Sequence, residues 1–492
     1  MIMIRLQHSL RTLILLLILL AAGSLTLNAS AAPPHPIIRH PFENTMGVYV
    51  WRDGGQIKGG EALKKTGAQW ASIFIVWSEI EKQPGVYDWE QTDRILGDVS
   101  AHGFDTVVTV IGNPAWAADT ICGPIHEDQL PRFGNFLTAL VQRYSAAPYN
   151  ITYWALYNEP DNANASPYFV NWLGGCWGGN HPNALPDAGG AAYAHMLSYA
   201  YPAIKAGNPN ARVALGGLAY DYFAGIDEGG VFDPAFLDDM LAAGGGQYFD
   251  VINYHYYKGF DWRWEDEKDG VVNPYSSWIQ FKGHYLQSEV ERYTGEIKPV
   301  LCTEVGDGSR EASGADRSEF QARFLVKTLV RAYYGGIYPI IWFDGVDETW
   351  LPGGDSMTSM GLMDDDLNPK TSYVTYQTLV RELSGARFVR TRKDLGLRFE
   401  GYEFEKQGRR KLVLWDSESG IHSIVLHIAR PGGALRMVEK TGESLVITDG
   451  SGLDKDGLRN GAIEVIVSKS PRYYEDLSLP LLDEQVFLPI LH

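Results

Sequence analysis

The stretch Tyr153–Asp161 reads YWALYNEPD. A short apolar run closed by an amide, a carboxylate and a proline is the pattern of a buried strand that stops where the chain must turn. Asn158 and Glu159 then stand at the mouth of whatever that strand helps to build. Seven more runs of this kind occur between about residues 44 and 384: GVYVW (47–51), WASIFIVW (70–77), DTVVTVIG (105–112), RVALGGL (212–218), FDVINYHYY (249–257), KPVLCTEVG (298–306) and GIYPIIWFD (336–344). Helix-period stretches lie between them, among them LPRFGNFLTALVQRY (130–144), AAYAHMLSYAYPAIKAG (191–207) and RSEFQARFLVKTLVRAYYG (317–335). Eight strands alternating with helices predict a closed parallel (β/α)8 TIM barrel. An open doubly wound sheet is the alternative, but no Gly-rich phosphate fingerprint follows the first strand.

After KTSYVTYQTLVREL (370–383) the period changes. Runs such as KLVLW (411–415), SIVLHI (423–428), SLVITD (444–449) and AIEVIVS (462–468) alternate between Gly- and Asp-bearing turns, which predicts an all-β sandwich over residues 385–492. The expected division is a signal peptide (1–31), a catalytic barrel (32–384) and this accessory sandwich. No internal repeat or low-complexity tract interrupts it.

The signal reading rests on Arg5 and Arg11, the Leu/Ile stretch that follows, and the small residues Ala29-Ser30-Ala31, with cleavage expected before Ala32. A retained membrane anchor is the alternative, although the apolar run is shorter than the roughly 20 residues a span needs. Export to the outside or to the cell envelope is therefore expected. Removing two arginines and no acids takes the formal charge from -18 to -20. So acidic a chain is not expected to bind nucleic acid or an anionic membrane, since the phosphate term requires an excess of Lys and Arg. Aromatic content of 12%, with 14 Trp and 27 Tyr, suits a protein that stacks rings on the apolar face of a sugar, but core packing uses the same residues. Of the three cysteines, Cys122 and Cys176 lie in loop-like sequence after the third and fourth strands and are expected to pair. Cys302, inside an apolar run, is expected to be an inert core thiol.

In a (β/α)8 barrel the reacting groups stand at the carboxyl ends of the strands. Glu159 ends the fourth run and Glu304 the seventh, and barrel closure brings the strand tops together. Two carboxyl groups on one rim suit cleavage of a glycosidic bond, one delivering a proton while the other attacks the anomeric carbon.

In these residues the chain resembles the retaining glycoside hydrolases of clan A, in a family 39-like or family 5-like form. NEP (158–160) matches the clan's acid/base motif and TEVG (303–306) its nucleophile strand. WSEIEKQPGVYDWEQTD (77–93), NPAWA (113–117), NYHYY (253–257), Trp342, GLMDDDLNPKTSYVTYQ (361–377) and SKSPRYYE (468–475) extend the similarity over nearly the whole mature chain. The resemblance implies Glu159 as acid/base with raised proton affinity and Glu304 as an ionised nucleophile. It also implies that Tyr257 donates to the nucleophile, His255 lines the site, Asn158 holds the sugar's 2-hydroxyl and Trp342 floors the reacting subsite. Asn113 and Trp116 are placed at the site too, while Trp262 and Trp264 read equally as a subsite wall or a surface loop.

No cofactor and no metal is expected: Asp364-Asp365-Asp366 reads as a solvated turn, and no HExxH, GxSxG or CxxC constellation offers competing chemistry. The expected activity is a retaining β-glycosidase acting on oligo- or polysaccharides. A transglycosylase using the same glutamates is the nearest alternative, and a carbohydrate-binding protein on a retired barrel is the alternative from another class.

Overall fold

Strands β1 (Met46–Tyr49), β2 (Trp70–Val76), β3 (Asp105–Ile111), β4 (Tyr153–Leu156), β5 (Arg212–Ala214), β6 (Ile252–Tyr256), β7 (Val300–Val305) and β8 (Ile340–Trp342) pair in parallel in the order β5-β4-β3-β2-β1-β8-β7-β6. The structure, a computed structural model, describes residues 45–163, 175–180, 182–220, 231–257, 279–311, 313–348, 357–417 and 420–478. The expected signal peptide and the Trp262/Trp264 insertion lie outside the described residues. The two ends of the strand order meet through parallel bridges, Ala214 to Val251 and Leu218 to Tyr254. The Leu218 N–H donates to the Asn253 carbonyl and the His255 N–H to the Leu218 carbonyl, which closes the barrel.

Helices α1 (Glu90–Ala101), α2 (Leu130–Tyr144), α3 (Gly190–Gly207), α4 (Phe236–Ala242), α5 (Ile279–Thr294), α6 (Ser318–Gly335) and α7 (Thr371–Leu383) follow β2 to β8 in turn. In α2 the buried residues Leu130, Phe133, Leu137, Leu140, Val141 and Tyr144 recur at three- and four-residue spacing, so one apolar stripe lies on the sheet. The strands are apolar on both faces because both are covered. Their period of two separates the layers: Val48, Ile73, Val108, Trp154, Tyr254 and Trp342 pack outward with the helices. Tyr49, Trp51, Phe74, Ile111 and Phe343 fill the interior.

Beyond α7 the chain forms β9 (Arg387–Thr391), β10 (Phe399–Lys406), β11 (Arg409–Asp416), β12 (His422–His427), β13 (Ala434–Glu439), β14 (Ser444–Thr448), β15 (Ala462–Val467) and β16 (Arg472–Asp476). Six of these make an antiparallel sheet in the order β9-β10-β11-β16-β13-β14, and β12 pairs with β15 as a second layer. Alternation along β11 sends Leu412 and Leu414 into the core between these layers. Val413 and Trp415 go the other way, into the core shared with the barrel helices. Polar contacts at this seam are charged: Glu400 on β10 takes two hydrogen bonds from Arg331 on α6, at 2.8 and 2.6 Å. Glu382, at the end of α7, accepts from Lys411 at 2.9 Å and from both terminal nitrogens of Arg436, each at 2.9 Å. Among the described residues, no helix is long and apolar enough to cross a membrane.

Candidate active site

Alternation along β6 turns Asn253, His255 and Tyr257 inward, as Tyr254 and Tyr256 join the outer core. On β7 the pairing slips: Tyr254 faces Cys302, yet the next residue, His255, faces Glu304. The extra residue is Thr303, and a bulge of this kind re-aims the side chains around it. Cys302 and Val305 both pack in the outer core. Thr303 and Glu304, though successive, therefore both face the interior. At the end of β4 the chain takes left-handed backbone at Tyr157 (φ 61°) and Glu159 (φ 44°), with Asn158 between them. Such conformations cost a non-glycine residue about 1 kcal/mol or more and persist where the surroundings over-determine them. Here the Tyr157 hydroxyl donates to Asn113 Oδ1 at 2.6 Å and its ring packs on Trp177.

These elements bring Glu159, His255 and Glu304 together, with their nearest donor and acceptor atoms all within 4.8 Å of one another. His255 Nδ1 lies 2.9 Å from Glu159 Oε1 and 3.5 Å from Glu304 Oε2. The Tyr257 hydroxyl donates to Glu304 Oε2. Burial and the adjacent Glu304 raise the Tyr257 phenol well above its ordinary range, so it keeps its hydrogen and stays a donor.

The two carboxylates differ in exposure, 23% for the Glu159 side chain and 7% for Glu304. Burial pushes the Glu304 carboxyl up to about 7; His255 and the Tyr257 hydrogen bond pull it down, and the charge of Glu159 adds to the rise. Burial would lower His255, but Glu304 and Glu159 together hold it above its ordinary value. Groups this close share protons as a unit. Tyr257 supplies a donor to the Glu304 carboxylate, and desolvation outweighs it. The cluster is also compact enough to hold a cation.

Asn158 is buried, and its side chain makes no hydrogen bond to another described residue, which leaves the amide open to a ligand. Three other expectations need correction. Trp342 is fully buried on the helix side of β8, packed on Phe324 with its indole N–H donated to the Met360 carbonyl at 3.2 Å. By the period of two it is Phe343 that faces inward, 6.0 Å from the Tyr257 ring and 5.1 Å from that of Tyr49. Asn113 donates to the Thr120 and Gly123 carbonyls at 3.0 and 2.9 Å while accepting from Tyr157, so its amide is consumed in holding the loop after β3. Trp116 packs edge-on against Trp77 and donates to the Glu81 carbonyl at 3.1 Å, as part of the same loop framework.

Sequence reading missed the aromatic wall of Tyr49, Trp51, Phe74 and Phe343. Alternation along GVYVW and IIWFD was the available signal. It also missed Asp344, whose Oδ2 accepts from the Trp51 indole at 3.0 Å and whose burial raises its proton affinity well above the usual range. Cys122 and Cys176 form a disulfide with Cα atoms 5.3 Å apart, tying the loop after β3 to the one after β4. Cys302 is a buried free thiol. A cleft of about 460 Å³ opens beside that disulfide, lined by Asp119, His126, Glu127, Leu185 and His195, and neither Glu159 nor Glu304 borders it.

No family model and no curated protein matches the sequence. Solved structures do. A family 39 glycoside hydrolase from the gut symbiont Bacteroides cellulosilyticus is similar at 20% identity and a TM-score of 0.66, over 89% of this chain and 82% of that one. A monomeric beta-xylosidase from Caulobacter crescentus is similar at 14% and 0.57, over 88% and 96%. A GH30 endoxylanase from Clostridium papyrosolvens is similar at 12% and 0.55, over 89% and 97%. The likeness is one of fold: a parallel eight-stranded barrel with a trailing β domain, the architecture expected from the clan A resemblance.

Proposed function

We propose that the protein is a glycoside hydrolase that cleaves β-glycosidic bonds with retention, Glu304 acting as nucleophile and Glu159 as acid/base. The observation that carries this reading is the pair itself, with carboxylate oxygens within 4.8 Å of each other at the ends of β4 and β7. Retaining enzymes hold their carboxyl groups about 5–5.5 Å apart, whereas inversion needs about 6.5–9.5 Å to admit a water between acid and base.

In the first step Glu304 bonds to the anomeric carbon while the bond to the leaving oxygen breaks, and that oxygen takes the proton from Glu159. In the second step water attacks the same carbon, its proton goes to the Glu159 carboxylate, and the ester to Glu304 breaks. The more exposed position of Glu159 suits a group that meets leaving groups and water in turn. Buried Glu304 meets only the sugar. Asn158 is free to hold the 2-hydroxyl, and Tyr49, Trp51 and Phe343 offer an apolar wall to the ring. Export follows the signal-like N-terminus, and the sandwich supports the barrel without supplying a reacting group.

The test is a panel of aryl β-glycosides and polysaccharides, begun with β-xylosides because two of the similar structures are a xylosidase and an endoxylanase. The anomer first released is read by NMR, and a slow-deglycosylating 2-fluoro sugar should label the peptide containing Glu304. An inverted first product, or label on another residue, would overturn the mechanism. Binding without release would overturn the enzyme, and products longer than the donor would mark transglycosylation.

A further inference from the structure

Behind the glutamates a chain of buried hydrogen bonds fixes where His255 carries its hydrogen. Asn253 is fully buried on β6, and its Nδ2 donates to the Leu215 carbonyl at 3.1 Å. Its Oδ1 accepts from the Thr303 backbone N–H at 3.2 Å and from the Thr303 hydroxyl at 2.9 Å. The amide has no alternative orientation: a flip would set its oxygen against a carbonyl and its NH2 against an N–H. The single hydroxyl hydrogen of Thr303 is therefore committed to Asn253. What Thr303 Oγ1 can still do is accept, and His255 Nε2 lies 3.1 Å away. Nε2 must carry a hydrogen.

The other ring nitrogen, Nδ1, faces Glu159 Oε1 at 2.9 Å. With Nε2–H occupied, two states satisfy that contact: a neutral ring accepting from protonated Glu159, or an imidazolium donating to its carboxylate. They differ only in the position of one proton. The ring cannot escape by moving, since it is 1% exposed and a Cβ on Gly217 would overlap it. Lys282 on α5 donates to the His255 carbonyl at 2.8 Å and holds the backbone below the ring.

We propose that Thr303 and Asn253 are positioning residues that lock His255 in the Nε2–H state, so that Nδ1 shares a single proton with Glu159. The inference rests on the glycosidase reading for its purpose, but the lock itself is a statement about hydrogen positions. Without the lock a neutral ring could place its hydrogen on Nδ1 and stop accepting from Glu159, which would then lack a partner for the acid form. The bulge at Thr303 makes the lock possible, because an unbroken ladder would have turned its hydroxyl away from the ring. Among the described residues, the charged and titratable groups around His255 are Glu159, with Asp161 beside it on the loop after β4, Glu304 on β7, Tyr257 just past the end of β6 and Lys282 on α5.

Histidine-15N NMR on the full chain tests this directly, with the His255 ring identified by its loss in His255→Asn. The wild type is expected to show a hydrogen on Nε2 across about pH 5 to 9, where free histidine would exchange tautomers. Thr303→Val keeps the shape and removes the acceptor, so the Nδ1–H tautomer should appear; Thr303→Ser should restore the wild-type spectrum. In aryl glycoside hydrolysis, Thr303→Val should lower kcat/KM about tenfold and move the basic limb of its pH profile, well short of the about 10⁴-fold loss from a wholly wrong tautomer. Thr303→Ser should recover most of that activity. A neutral Nδ1–H ring in the wild type, or an unchanged spectrum in a folded Thr303→Val variant, overturns the lock even if glycosides are cleaved. The expected spectra in a protein that cleaves none would support the lock and count against the proposed reaction alone.

Discussion

Glu304 on the barrel rim and Glu382 at the seam with the sandwich are both buried carboxylates, 5% and 3% exposed, and they titrate in opposite directions. Burial raises both. At the rim the opposing groups are a neutral phenol and a histidine whose charge is shared with a second carboxylate, and Glu304 ends at about 7. At the seam Arg436 and Lys411 bring permanent charges into hydrogen-bond contact, overcome the desolvation and hold Glu382 at about 2. Among the described residues, the difference lies in the fixed cations that the fold supplies at the seam. A seam needs a charge that never changes, whereas a reacting group needs one that can be given up to a bond.

The sharpest way to break the comparison is to remove each carboxylate. Glu304→Ala should lower turnover by at least about 10⁴-fold with every glycoside, as loss of a nucleophile does elsewhere. Azide should then restore a product of opposite anomeric configuration by filling the vacated face. Glu159→Ala should fail differently, completing the first step with leaving groups that need no proton and stalling at hydrolysis of the intermediate. Stopped-flow bursts with aryl glycosides separate the two patterns.

At the seam the effect should be on stability. Glu382→Ala strands Lys411 and Arg436, and breaking a buried pair from one side costs roughly 3–5 kcal/mol. Denaturant midpoints should fall accordingly, while kcat/KM per folded molecule stays within about twofold, since none of these three residues reaches the rim. Truncation after Leu383 should be harsher still, because the core that Val413 and Trp415 share with the helices would face water.

The two sites should also answer pH with opposite sign. Glu304 binds its proton more tightly folded than unfolded, so it stabilises the fold fully below about 4.5 and loses that contribution as pH rises through about 7. Glu382 binds its proton more weakly folded than unfolded, so its contribution is complete above about 4.5 and is lost as pH falls towards about 2. Glu304→Gln should therefore gain stability over wild type at about pH 8 and little at about pH 4.5, while Glu382→Gln should lose its deficit only in strong acid. Thermal unfolding of the two variants across pH would show it, and parallel curves would refute the contrast.

Much of the barrel was legible because each strand is a continuous apolar run closed by a turn, and a parallel sheet covered on both faces requires such runs. Glu159 and Glu304 were legible for the same reason, as charges at the ends of apolar strands. Trp342 was misplaced because motif matching favours the tryptophan over its neighbour, although alternation along β8 turns Phe343 inward. Asn113 looked like a ligand-binding amide because sequence does not reveal that the loop after β3 uses all of its hydrogen bonds. The proton affinity of Glu304 was out of reach too, since it depends on how far burial outweighs one phenol. Thr303 was hidden behind the bulge: by strict alternation a residue next to Glu304 should face away.

The smallest effect expected isolates that single phenol. Tyr257 donates to Glu304 and opposes the rise caused by burial. Tyr257→Phe removes the donor and keeps the ring that packs near Phe343. The ionised form of Glu304 then loses the Tyr257 donor, so its proton affinity should climb further, by about one pH unit or about 1.4 kcal/mol. Because the nucleophile must be ionised to attack, the acid limb of kcat/KM should move up by that amount, with the plateau above it reduced less than tenfold. Stability should move the other way, with the variant's relative gain at low pH extending to a higher pH than in the wild type. The seam has no equivalent, since Glu382 is held by charges rather than by a hydroxyl. An acid limb that stays in place in folded Tyr257→Phe would mean that the phenol plays no part in setting Glu304 and that burial and the neighbouring charges do so, as burial and fixed charges do at the seam.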